Sequence, residues 1–141
     1  VSEGARTPKV LCIEDDAEMI ELMKLILQQQ GYDVRGCTNG PSGLAAAQES
    51  RPDVILLDLM MPGMGGWEVF RRLRQDASLA DIPVIVVTAR AQNIDKMLGL
   101  HIARVDDYVT KPFGPQELLD RVGAVLARRG DKRRNGLPER A

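Results

Sequence analysis

Five short runs rich in β-branched residues and leucine punctuate the chain, at residues 9–13, 32–37, 53–57, 84–87 and 107–110. A stretch with helical spacing follows each one. Strand and helix alternating five times specify a parallel sheet with helices on both faces, joined by right-handed crossovers. The third run, Val54-Ile55-Leu56-Leu57, is the most constrained, because Pro52 precedes it and Pro62-Gly63 follows. It reads as a strand buried on both faces. A carboxylate within such a strand would be costly to bury. Asp58 therefore belongs at the strand's C-terminal end, the edge of open α/β sheets where ligands sit.

The segments between the runs supply the helices. Over 17–30, Met19, Leu22, Met23, Ile26 and Leu27 share one helical face, with Asp16 as N-cap and Gly31 as the C′ stop. Asn39-Gly40-Pro41 opens a second helix with Pro41 at its first position. Over 67–75, Val69, Phe70 and Leu73 face inward while Arg71, Arg72 and Arg74 form a solvated face. Ile94, Met97, Leu98 and Ile102 give a weaker fourth helix over 92–103. Gly114-Pro115 opens the last, through Leu118, Leu119, Val122, Val125 and Leu126.

With 141 residues the chain suits one domain. Its expected bounds are 9–129, with a disordered lead-in over 1–8 and a basic flexible tail or linker over 130–141. One Trp, two Tyr and two Phe leave the core aliphatic. A net charge of −1 gives no general attraction to nucleic acid or anionic membrane. Arg128, Arg129, Lys132, Arg133 and Arg134 lack interleaved aromatics, so a solvated helix end is favoured over a nucleic-acid surface. No apolar run approaches the roughly 18–20 residues that span a bilayer, and residues 1–8 have no signal-like apolar region. Cys12 and Cys37 make no disulfide framework and read as buried free thiols. A soluble cytoplasmic protein is expected.

Polar residues gather where the strands end. Glu14 and Asp15, with Asp16 just beyond, follow the first run, Asp58 the third, Thr88 the fourth and Lys111 the fifth. Parallel strands end on one rim, so these side chains converge. Crowded carboxylates repel one another, and a hard divalent cation relieves them. Magnesium suits such a rim, since it takes one or two carboxylates, keeps several waters and accepts phosphate oxygens. Lys111 adds a positive charge and Thr88 a hydroxyl, which together favour a phosphoryl group. Asp58 is the natural acceptor, because a carboxylate nucleophile forms an aspartyl phosphate and the transfer requires mainly positioning and charge neutralisation. The only histidine, His101, falls on the expected fourth helix and reads as a solvated or packing residue.

Four pieces in order carry a family signal: 10–16 (Val-Leu-Cys-Ile-Glu-Asp-Asp), 53–66, 81–90, and 106–113 (Asp-Asp-Tyr-Val-Thr-Lys-Pro-Phe). Each ends an expected strand, and together they are specific. The chain resembles the receiver domain of two-component response regulators. The resemblance implies a flavodoxin-like, doubly wound five-stranded parallel sheet of order 2-1-3-4-5 with five helices. It implies that Asp58 is the phosphoacceptor and that Glu14, Asp15, Asp58 and the Met60 backbone carbonyl hold Mg2+. Lys111 and Thr88 would contact the phosphoryl group, Thr88 and Tyr108 would be the switch pair, and Lys111-Pro112 would be cis. A sensor histidine kinase or phosphotransfer protein would be the donor, and an output domain or downstream protein the reader. A homodimer through the fourth helix, fifth strand and fifth helix would draw on Asp106, Asp107 and Arg121, a partial set of the usual pairing charges. The turn before the fifth strand departs from the usual pattern, reading Ala103-Arg104-Val105-Asp106. Neither a membrane nor direct nucleic-acid binding by this domain is implied.

The leading expectation is therefore a phosphorylation-controlled switch with no separate substrate turnover. A magnesium-dependent phosphatase with an aspartyl nucleophile commonly has a second acid two residues on, where this chain has Met60. A phosphorylation-independent interaction module would have no use for the complete set of Glu14, Asp15, Asp58, Thr88 and Lys111. A Gly-x-x-x-x-Gly-Lys-Ser/Thr loop is absent, and Gly63, Gly65 and Gly66 have the wrong spacing for a phosphate cradle.

Overall fold

The computed structural model describes residues 6–89 and 105–134. Five strands and four helices follow one another among them: β1 (Lys9–Ile13), α1 (Ala17–Gln28), β2 (Asp33–Cys37), α2 (Gly40–Ser50), β3 (Val54–Asp58), α3 (Gly66–Gln75), β4 (Val84–Thr88), β5 (Asp107–Thr110) and α4 (Pro115–Arg134). The strands form one parallel sheet in the order β2-β1-β3-β4-β5. The helix expected over 92–103, with His101 on it, lies outside the described residues, as do the ends 1–5 and 135–141.

Strand alternation divides the core in two. Val10, Cys12, Val54, Leu56, Ile85 and Val87 face α1 and α4 with Leu27, Leu118 and Val122, while Leu11, Ile13, Ile55, Leu57 and Val84 face α2 and α3 with Ala47, Val69 and Leu73. β3 is buried at all five positions, because it is the middle strand and is covered on both faces. The apolar stripe of α1 is rotated from the expected one. Ile20, Met23, Ile26 and Leu27 are buried, while Leu22 is 43% exposed.

Local signals act largely as expected. Asp16 caps α1 by accepting from the Glu18 and Met19 amides. Gly31 takes the positive φ that ends the helix. Asn39 caps α2, which puts Gly40 first and Pro41 one place later than expected. Arg74 is not on a solvated face. It is only 16% exposed, lies over the Phe70 ring, and donates to the Ile82 carbonyl at 2.8 Å. Cys12 is buried and Cys37 half-buried, and both are free thiols. Burial is the main cause that pushes the Cys12 thiol up to about 12.

Parts of two segments expected to be loose are ordered. In the lead-in, Arg6 pairs with Asp53 at 2.9 Å and the Pro8 carbonyl accepts from the Asp33 amide. At the other end, α4 continues through Arg134, five residues past the expected domain end at 129. Among the described residues no helix is long and apolar enough to cross a membrane.

Candidate functional site

Strand register assembles the site. Ile13 lies opposite Leu57, so the next residues along, Glu14 and Asp58, are neighbours at the end of the ladder. Asp58 is opposite Val87, and Thr88 is opposite Thr110, which places Lys111 one residue beyond. The Lys111 amide then donates to the Thr88 carbonyl at 2.8 Å, and the Lys111-Pro112 bond is cis as expected.

Asp58 is 4% exposed. Its Oδ1 accepts from the Met60 amide at 3.0 Å, and its Oδ2 lies 3.8 Å from Lys111 Nζ. Lys111 sits closer to Glu14, donating to Oε1 at 2.7 Å, while Glu14 Oε2 accepts from the Asp16 amide at 3.1 Å. Thr88 is fully buried in the wall beside them. Tyr108, on the edge strand, is 37% exposed. Met60 is 45% exposed at the lip of the site.

Glu14, Asp15 and Asp58 each present a carboxylate oxygen within 4.8 Å of the others. Among the described residues, one lysine ammonium serves this group, through Glu14 and Asp58. The imbalance is visible in Glu14, whose carboxyl is pushed up to about 7, first by burial and further by the Asp58 carboxylate, against the downward pull of Lys111 and the Asp16 amide. Hard oxygen donors with surplus negative charge, partly buried and open on the Asp15 side, fit a hard divalent cation such as magnesium.

The turn after β3 brings the chain back under the site. Gly63 has φ +72, and Gly66 packs so closely that a Cβ there would meet the Asp58 carbonyl oxygen at 2.4 Å. Only glycine lets α3 begin against the backbone at the end of β3. A family model described as the response regulator receiver domain matches residues 10–123. The chain belongs to this receiver-domain family. Phosphorylation and Mg2+ are general features of these receiver domains, and the protein is a receiver domain of a two-component system. It is 41% identical over 124 residues to the DNA-binding response regulator MtrA of Mycobacterium tuberculosis, covering 88% of this chain and 53% of MtrA. It is 43% identical over 122 residues to the sensory transduction protein RegX3 of the same organism, covering 86% and 52%. The receiver chain thus spans about half the length of these curated relatives. The Vibrio cholerae chemotaxis protein CheY4 is similar in structure, with TM-score 0.78, 30% identity, and coverage of 85% of this chain and 99% of that one. A putative response regulator from Chloroflexus aurantiacus gives 0.79, 33%, 86% and 99%.

The structure thus brings Glu14, Asp15, Asp58 and Lys111 of this receiver together, with Thr88 buried at the end of the neighbouring strand and Tyr108 exposed on the edge strand. The charges expected on a dimer face are engaged within the chain: Arg121 pairs with Asp107 at 2.6 Å, and Asp106 with Arg74 at 3.3 Å. In the sequence Gly66 enters only within the 53–66 piece and as a glycine wrongly spaced for a phosphate cradle; the Gly65-Gly66 pair, seven and eight residues past Asp58, is the available signal.

Proposed function

We propose that this receiver accepts a phosphoryl group on Asp58 from the phosphohistidine of a sensor kinase or phosphotransfer protein, with Mg2+ held by Glu14, Asp15, Asp58 and the Met60 carbonyl. The observation that carries the reading is the setting of Asp58: a buried strand-end carboxylate with one oxygen steadied by the Met60 amide and the other facing Lys111. A carboxylate oxygen of Asp58 bonds to phosphorus as the donor's phosphorus–nitrogen bond breaks. The metal, when bound, supplies positive charge to the phosphoryl oxygens. Lys111 moves from Glu14 toward the new phosphoryl oxygens, since the two partners are within reach of one ammonium. Thr88 turns its hydroxyl to the same group, and Tyr108 follows inward from its exposed position on β5. The altered surface around Thr88 and Tyr108 is read by an output domain or a separate protein.

The test is intact mass after incubation with a small phosphodonor and magnesium. One phosphate adds to the wild type and none to Asp58→Asn. An equal adduct on both would place the acceptor elsewhere, and steady hydrolysis of the donor with no adduct would favour a phosphatase.

A further inference from the structure

The distal part of α4 is a helix that its own sequence does not support. After Leu126 the described helix has no aliphatic residue larger than alanine, and Gly123 and Gly130 both lie inside it with open space where a Cβ would be. Glycine is unfavourable inside a helix, and a helical end of this length without apolar burial is marginal in water. Yet α4 runs to Arg134.

Two arginines hold it. Arg129, 12% exposed at its side chain, donates to the Asp53 carbonyl at 3.0 Å and lies 3.8 Å from the Asp81 carboxylate. Arg128 reaches the Asp106 carbonyl at 3.3 Å. Asp53 immediately precedes β3, Asp106 precedes β5, and Asp81 lies in the turn that leads into β4. The two guanidinium groups thus span the N-terminal ends of three adjacent strands, at the opposite end of the sheet from Asp58. We propose that residues 127–134 form a rigid helical arm, clamped to the floor of the sheet through Arg129, which sets the direction in which the chain leaves the domain. The arm takes up residues 130–134 of the flexible tail expected over 130–141. The clamp uses none of the residues at the phosphoacceptor rim, so it stands independently of the function proposed above.

Hydrogen–deuterium exchange of the full chain tests it, with amides 127–134 followed against amides 119–123 of the same helix. In the wild type the arm exchanges at least ten-fold more slowly than an unstructured peptide. Arg129→Ala speeds exchange at 127–134 by about ten-fold or more and leaves 119–123 within two-fold. Asp81→Asn removes only the ion pair and gives a smaller acceleration, about two- to three-fold, in the same segment; it also serves if Arg129→Ala fails to fold. Unstructured exchange rates in the wild-type arm, or rates unchanged in both variants, would overturn the clamp.

Discussion

Acids collect at both ends of the sheet, and their surroundings differ. At the N-terminal floor, Asp53 accepts from Arg6 and the Lys9 amide, and Asp106 from Arg74 and the Val84 amide, while Asp81 faces Arg129. At the C-terminal rim, Glu14, Asp15 and Asp58 crowd within 4.8 Å, and Lys111 is divided between two of them. Floor acids are matched by cations and by the amides of strand ends, so they contribute to the stability of the fold. Among the described residues the three rim acids face a single lysine, and the Glu14 pKa is raised to about 7, so the fold carries that carboxylate at a cost. Stability and the proposed phosphoacceptor site therefore lie at opposite ends of the same strands.

Replacing a floor acid gives the largest loss. Asp53→Ala removes the acceptor of the Lys9 amide at 2.7 Å and the partner of Arg6. Leaving a partly buried donor unsatisfied costs about 1–3 kcal/mol, so denaturant melts show destabilisation of about 2 kcal/mol with an unchanged phosphate adduct. Asp58→Ala at the rim, which relieves like-charge repulsion, is neutral or stabilising in the same melts without metal. Equal losses for the two variants would remove the distinction between the ends.

The rim was more legible in the sequence than the floor, for a physical reason. Rim residues follow apolar runs directly, so strand ends and their side chains are read together. Glu14, Asp58, Thr88 and Lys111 are therefore legible as strand-end residues from the sequence. Floor residues sit in connections whose partners come from far along the chain: Arg6 and Asp53 are 47 residues apart, Arg129 and Asp53 are 76 apart. Composition alone made Arg74 and Arg129 solvated charges, since nothing local marks a guanidinium that will be covered. The face of α1 was misjudged in a similar way, because Ile20 and Leu22 are equally apolar and only packing against β2 selects Ile20: a Cβ on Gly36 would meet it at 2.4 Å. The strand order comes only with the family resemblance, because alternation sets which face of a strand is buried and not which strand lies beside it.

Glu14→Gln has the opposite sign to the floor variant and a pH signature. The folded state raises the Glu14 pKa to about 7, above its ordinary 4.5. Below about 4.5 the carboxyl is neutral in both states and the wild type has no handicap. As pH rises toward 7 the unfolded chain releases the proton first, so the wild type loses stability, and the full penalty is present above 7. Glutamine does not titrate. Melts in chelator at pH 8 therefore show the variant more stable by on the order of 2–3 kcal/mol, with the gain gone near pH 4.5. A variant less stable than wild type at pH 8 would mean that the Lys111 contact outweighs burial.

Asp15→Asn gives the smallest change in metal-free stability. Asp15 is exposed, so its replacement shifts the chelator melt by less than about 0.5 kcal/mol. Magnesium separates the variant from the wild type. A ligand at a hundredfold excess over its Kd stabilises by about 2.7 kcal/mol. The wild type gains stability on titration with magnesium, and Asp15→Asn loses most of that gain while its baseline is unmoved. A floor variant such as Asp53→Ala does the reverse, with a lowered baseline and the full magnesium increment. An Asp15→Asn protein with an undiminished magnesium response would remove Asp15 from the ligand set and leave Glu14 and Asp58 to hold the ion. The paired melts thus measure separately what each acid does for the fold and what it does for the cation: Asp53 serves the first and Asp15 the second.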